Sequence, residues 1–114
     1  MSKNISFSLY MAQHILYING IQKCLNHSTV FNHKKPTECA FGKMFYSEIK
    51  PNMDIFSIEK QDVINILEKT HIAFHETAFD ITENNPDIEN AKQTAWLHST
   101  KLINLLNALE KISG

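Results

Sequence analysis

The sequence predicts an all-α protein, an antiparallel four-helix bundle of three long helices plus one short helix that carries Cys39. Three observations lead there. Apolar residues recur at steps of three and four along three stretches, the spacing that gathers side chains on one face of a helix. Only three glycines and three prolines are spread over 114 residues, so the chain is expected to consist of long regular elements. No stretch sustains the period-two alternation of a half-buried strand. The length fits a single domain, 1–114, with a core of modest size and no disulfide staples.

The first helix is expected over Phe7 to Ser28, with a seam at Phe7, Met11, His14, Ile18, Ile21 and Leu25. Tyr10, Ile15, Leu16 and Tyr17 widen its apolar surface beyond one stripe. Such a helix needs cover on more than one side, which points to a homodimer or to a domain that wraps it. Gly20 is a candidate for a close helix crossing. Residues 26–38 read as a loop, because Asn26, Ser28, Thr29 and Asn32 compete with the backbone and Pro36 pushes Lys35 out of helical geometry.

Thr37 then caps a short helix over Cys39 to Lys50, and Pro51 ends it. Ser57 opens the third helix, with Glu59 in its first turn. Its seam runs Ile64, Leu67, His71, Phe74, Ala78, Ile81, and Asn84-Asn85-Pro86 breaks it. Asn85 caps the last helix with Pro86 at its first position. The seam expected there is Ile88, Ala91, Ala95, His98, Leu102, Leu105, Leu109, Ile112.

Composition excludes several roles. The net charge is −1, and all eleven basic residues are lysine. No guanidinium fork is available to read phosphate or guanine, so nucleic acid is not an expected partner. The apolar N-terminal stretch is interrupted by Asn4, Gln13, His14 and Asn19, and no run approaches the roughly 18 residues a membrane helix needs. Insertion into a membrane is not expected. Two cysteines without secretory context suggest a reducing cytoplasm, where a cysteine serves as a ligand or redox reporter.

The chemistry lies in four residues. His71 and His75 are four apart on one helix, so their rings project from one face, one turn apart. That spacing chelates a metal in the HExxH zincins. Here Ile72-Ala73-Phe74 fills the interval, so the general-base glutamate of a hydrolytic site is missing. His14 occupies the first seam, and Cys39 stands at the head of the short helix, where the helix dipole favours thiolate. One thiol and three imidazoles are the side-chain set of a closed tetrahedral zinc site. The bland readings are two histidines on a partly buried face and a cysteine acting as a small buried hydrophobe. Cys24 is expected to be structural or exposed, and His27 and His33 solvated in the loop. His98 is expected to be a hydrogen-bonded core histidine, and Phe79 and Trp96 packing residues.

Three linked pieces, His14-x-x-Tyr17, Cys39-x-Phe41-Gly42-x-Met44 and His71-x-x-x-His75, are separated by residues 18–38 and 45–70. This arrangement resembles the chemoreceptor zinc-binding domain of bacteria, with Met44 where that family usually has tryptophan or another large apolar residue. The resemblance implies a four-helix bundle holding Zn2+ through His14, Cys39, His71 and His75. It further implies a regulatory role without catalysis, pairing as a homodimer, and an output partner of the chemoreceptor or diguanylate cyclase type. The signal would be zinc, or an oxidant such as hypochlorous acid acting on Cys39. The short helix, flanked by Pro36 and Pro51, would be the weakly anchored latch. Two other readings stay open. A hemerythrin-like di-iron bundle would need inward carboxylates, and a metal-free dimerisation bundle would ignore chelators.

Overall fold

A computed structural model describes residues 5–112. Helix α1 spans Phe7–Asn26, α2 Ala40–Met44, α3 Ile58–Ala78 and α4 Ile88–Lys111. Among the described residues there is no strand. The all-α bundle is therefore as expected, with three long helices and one short one. Helices α3 and α4 form a tight antiparallel hairpin and pack most extensively. α1 lies antiparallel to α4, as Ser8 at its start reaches Glu110 near the end of α4.

The termini of α1 follow local chemistry. Ser6 caps it by accepting from the Leu9 amide, which meets one of the unpaired donors of the first turn. The helix stops at Asn26, two residues short of expectation, because Ser28 turns into the left-handed region at φ 54°. The Thr29 amide then donates to the Cys24 carbonyl and the Ser28 amide to that of Leu25. That pair of bonds is a Schellman motif, here without its usual glycine.

The second element departs from the expectation. Cys39, not Thr37, is the N-cap of α2. After Met44 the chain widens into a π-type turn, Phe45–Ile49, and then tightens into a 3-10 segment, Lys50–Ile55. Pro51 lies in the first turn of that segment, where its missing N–H has no partner to lose, so it starts a turn and does not end one. Nor is the segment weakly held. Phe41, Phe45 and Ile49 are buried in the main core beside Leu67, Leu102 and Leu106. Burying three such side chains favours the fold by roughly 1.5–3 kcal/mol each.

Ser57 caps α3 as expected, accepting from the Lys60 amide. Its seam is also as expected, with Ile64, Leu67, His71, Phe74, Ala78 and Ile81 all buried. The helix ends at Ala78, ahead of the Asn84-Asn85-Pro86 break. α4 begins at Ile88 with Asp87 as N-cap. Asn85 instead closes the preceding turn by accepting from the Asp87 amide. The buried positions of α4 are Ala95, Ser99, Leu102, Leu106 and Leu109. His98 and Leu105 are only half-buried, so the seam is rotated by one residue at these two levels.

A similar rotation affects α1. Its buried residues are Phe7, Tyr10, His14 and Ile21, while Met11, Ile18 and Leu25 are half-buried flanks. At Gly20 the nearest neighbour is the Phe31 ring in the loop and not a second helix; a Cβ there would press on that ring. Leu9, Ile15 and Leu16 remain exposed.

The interior is divided in two. One cluster holds Phe7, Tyr10, Phe41, Phe45 and the lower leucines of α4; the other holds Ile21, Phe74, Ala78, Ile81 and Ala95. Tyr17 packs against both. The buried polar residues are His14 on α1, Thr70, His71 and His75 on α3, and Ser99 on α4. The site is built from this set.

Candidate metal centre

Local sequence places Cys39 first. Its Sγ accepts from the Gly42 amide at 3.2 Å, which fixes the side chain at the mouth of α2. The turn closes only because position 42 lacks a side chain. A Cβ on Gly42 would stand 1.7 Å from the Pro36 carbonyl oxygen. Phe41, one residue before it, lies flat on the His71 ring with centroids 4.3 Å apart. The Cys39-x-Phe41-Gly42 step thus supplies a sulfur, a wall and a close backbone crossing.

The four-residue spacing on α3 brings the two imidazoles together. His75 Nε2 lies 3.1 Å from His71 Nε2, which is 3.4 Å from Cys39 Sγ. The donor atoms of the three residues all fall within 4.8 Å of one another, and all three side chains are buried. The loop before α2 orients the group. His75 Nδ1 donates to the Lys34 carbonyl at 2.8 Å. A carbonyl only accepts, so the Nδ1 proton is fixed and the His75 Nε2 lone pair faces the cluster. The Lys34 amide in turn donates to the Tyr17 hydroxyl at 2.9 Å. The Tyr17 ring meets His75 edge to face at 4.9 Å.

His14 is placed differently. It lines the same cavity as Cys39, His71 and His75, and its ring meets that of Phe74 edge to face at 4.7 Å. Its Nε2, however, is 2.9 Å from the Ser99 hydroxyl, and His14 lies outside the three-donor group. Three of the four expected ligands are together; the fourth is next to them.

Burial sets the protonation. It holds the His14 pKa down to about 3, that of His71 to about 2 and that of His75 to about 4, with neighbouring imidazoles adding to each shift and the Lys34 carbonyl opposing it at His75. All three are therefore neutral at ordinary pH, the form that ligates metal. Burial pushes the Cys39 thiol up, partly offset by backbone N–H donors and by the Lys34 charge. The sequence expectation of a dipole-lowered thiol is thus reversed for Cys39 by desolvation.

The donor set fits a zinc ion. Zn–N and Zn–S bonds of about 2.05 and 2.3 Å in a tetrahedron separate donors by roughly 3.3–3.6 Å, close to the spacings here. His71 Nε2 faces both Cys39 Sγ and His75 Nε2. A single cation meets all three. Among the described residues no carboxylate joins the group, and Glu76 is exposed.

A family model described as the chemoreceptor zinc-binding domain matches residues 14–82, more than half of the chain. The chain belongs to this family. Its members are zinc-binding domains of signalling proteins, regulatory and not catalytic. No curated protein and no solved structure matches the chain. The match to the zinc-binding domain model begins at His14 and takes in Cys39, His71 and His75, but stops before α4.

Several participants escaped the sequence reading. The Lys34 and Pro36 carbonyls carry no side-chain signal at all. Ser99 did carry one, since Ala95, Ser99, Leu102, Leu106 and Leu109 also step by four and three. His98 drew the attention instead, yet it is half-buried and outside the core. His33 is not solvated in its loop, because it is half-buried and its Nε2 bonds the Ile81 carbonyl at 3.1 Å. Cys24 is half-buried, and its thiol donates weakly to Val30 O at 3.8 Å.

Proposed function

We propose that this chain is a zinc-dependent regulatory domain of bacterial signalling, with His14, Cys39, His71 and His75 as the ligands of one zinc ion and Cys39 as its redox switch. The convergence of Cys39 Sγ, His71 Nε2 and His75 Nε2 in a buried cavity carries this reading. Four protein ligands leave no position for water or substrate, so the domain has no catalysis of its own. A bound cation strips the proton from a coordinating thiol, which offsets the burial that otherwise keeps Cys39 protonated.

The protein residues then divide the work. Lys34 O and Phe41 hold the two rings of α3, Gly42 N holds the sulfur, and the loop excludes bulk water. Hypochlorous acid would transfer its oxygen to the Cys39 thiolate, giving the sulfenic acid and chloride. The oxidised sulfur is a poor ligand, so the Cys39 end of α2 comes free while Phe45 and Ile49 stay seated in the core. The latch is residues 34–42 and not the whole segment. The exposed Leu9, Ile15 and Leu16 of α1 support a homodimer through that helix. Among the described residues no helix is long and apolar enough to cross a membrane, in keeping with a cytoplasmic domain that reports to a chemoreceptor or cyclase output partner.

Metal analysis of the purified protein tests the site. One zinc per chain, lost in His71→Ala, is expected; two irons with charge-transfer colour would favour the hemerythrin-like alternative and end the zinc reading. Mild oxidant is expected to release zinc and change helix content in the parent protein but not in Cys39→Ala. An oxidant response that survives in Cys39→Ala would remove Cys39 as the switch.

A further inference from the structure

The four candidate ligands are not equivalent. Three have their donors gathered within 4.8 Å, whereas His14 Nε2 is engaged by Ser99 Oγ at 2.9 Å. His14 is 2 % exposed and Ser99 4 %, so neither can trade the other for solvent. Ser99 stands on α4, outside the residues that match the family model.

This contact is also mechanical. Among the described residues it is the one buried side-chain hydrogen bond that joins α1 to α4; the other two between them, from the Ser8 amide and hydroxyl to Glu110, are exposed. Elsewhere the two helices contribute apolar side chains to shared clusters, Tyr10 and Leu106 to one and Ile21 and Ala95 to the other.

We propose that Ser99 is a positioning residue that holds His14 in reserve, so that the Ser99 hydroxyl and a zinc ion compete for the same nitrogen, His14 Nε2. The inference rests on the zinc reading above. Recruitment of His14 as the fourth ligand exchanges one partner of this nitrogen for another. The exchange breaks the buried polar link between α1 and α4 and gives metal occupancy a route to α4, a helix that supplies no ligand. The His14 ring turns against fixed neighbours, Phe74 at 4.7 Å and Phe41 at 6.5 Å, both edge to face.

Competition has a definite sign. Removing the hydroxyl frees His14, so Ser99→Ala binds zinc more tightly than the parent protein. A net hydrogen bond of the usual strength converts to about a 2- to 10-fold lower Kd. Zinc affinity measured by chelator competition on the full chain tests this, using Ser99→Ala, His14→Ala and the double variant. Ser99→Thr keeps the hydroxyl and is expected to match the parent. In the His14→Ala background the Ser99→Ala change is expected to have no effect on Kd. An unchanged or weaker Kd in Ser99→Ala overturns the proposal, and so does tightening that persists without His14. Weaker binding would mean that His14 ligates through Nδ1 with Ser99 supporting it. A parent protein that takes up no zinc would defeat the zinc reading itself. Normal zinc uptake with an indifferent Ser99→Ala would defeat only the competition.

Discussion

At Gly42 one hydrogen atom decides whether the sulfur end of the site can form. The Pro36 carbonyl occupies the space a methyl group would need, at 1.7 Å from the ideal Cβ. The obstacle is backbone on both sides, so no rotamer change relieves it. Gly42→Ala is expected to destabilise the protein by about 1–3 kcal/mol, the range for overpacking a fitted interior. It should also weaken zinc binding, because the Gly42 amide that holds Cys39 Sγ must move with the turn. Denaturant titration and zinc competition on the variant check both effects; wild-type values for both would show that the turn relaxes freely. Ser28 is the opposite case. It occupies the left-handed region at φ 54°, which costs a side-chain-bearing residue roughly 1–2 kcal/mol. Ser28→Gly removes that strain against a smaller entropic loss of roughly 0.5–1 kcal/mol, so a small rise in midpoint denaturant concentration is expected.

At the scale of elements, periodicity predicts helices well and rotation about their axes less well. The α3 seam was legible because its apolar residues leave one continuous stripe, and both histidines of the HxxxH pair lie on or beside it. In α4 two stripes compete, since Leu105 and Leu106 are neighbours and both belong to sequences of threes and fours. Nothing within the helix chooses between them. The choice is made by the rest of the core, since Leu106 and not Leu105 is buried in the cluster that holds Phe7, Tyr10 and Ile49. Leu106→Ala is therefore expected to cost about 2–5 kcal/mol, the range for a buried leucine, and Leu105→Ala distinctly less. Equal losses by thermal or denaturant unfolding would contradict the observed rotation. The shift from a regular helix to the π and 3-10 turns after Met44 had no sequence signal, because Pro51 is compatible with both an end and a first turn. The ligand set was the more legible part of the site. Side-chain identity and spacing pointed to His14, Cys39, His71 and His75, of which the last three converge, whereas the main-chain carbonyls follow only from how the elements meet and Ser99 was legible only in the competing stripe of α4.

For the whole molecule, the polar set at the site ties stability to pH and metal. His14, His71 and His75 are held neutral by burial at pKa values of about 3, 2 and 4, against 6.5 for an unperturbed histidine. Below pH 6.5 the unfolded chain takes up protons that the folded chain refuses. Each such proton tilts the balance toward unfolding, so the stability these groups contribute is complete above 6.5 and falls as pH drops. The slope approaches roughly 1.4 kcal/mol per pH unit for each histidine. With three acting together, a protein of ordinary marginal stability has little left after about two pH units. Protein stripped of metal by a chelator is expected to melt at a lower temperature than protein with zinc at pH 7. The stripped protein should then lose its helical signal cooperatively between about pH 6 and 4. Zinc opposes this by binding only the neutral rings, so added zinc should move the acid transition to lower pH. Circular dichroism across that range, with and without zinc, reads both effects. A stripped protein that keeps its fold and melting temperature to pH 4 would mean that the histidines reach solvent easily, and the buried polar set could not then be what couples the bundle to its metal.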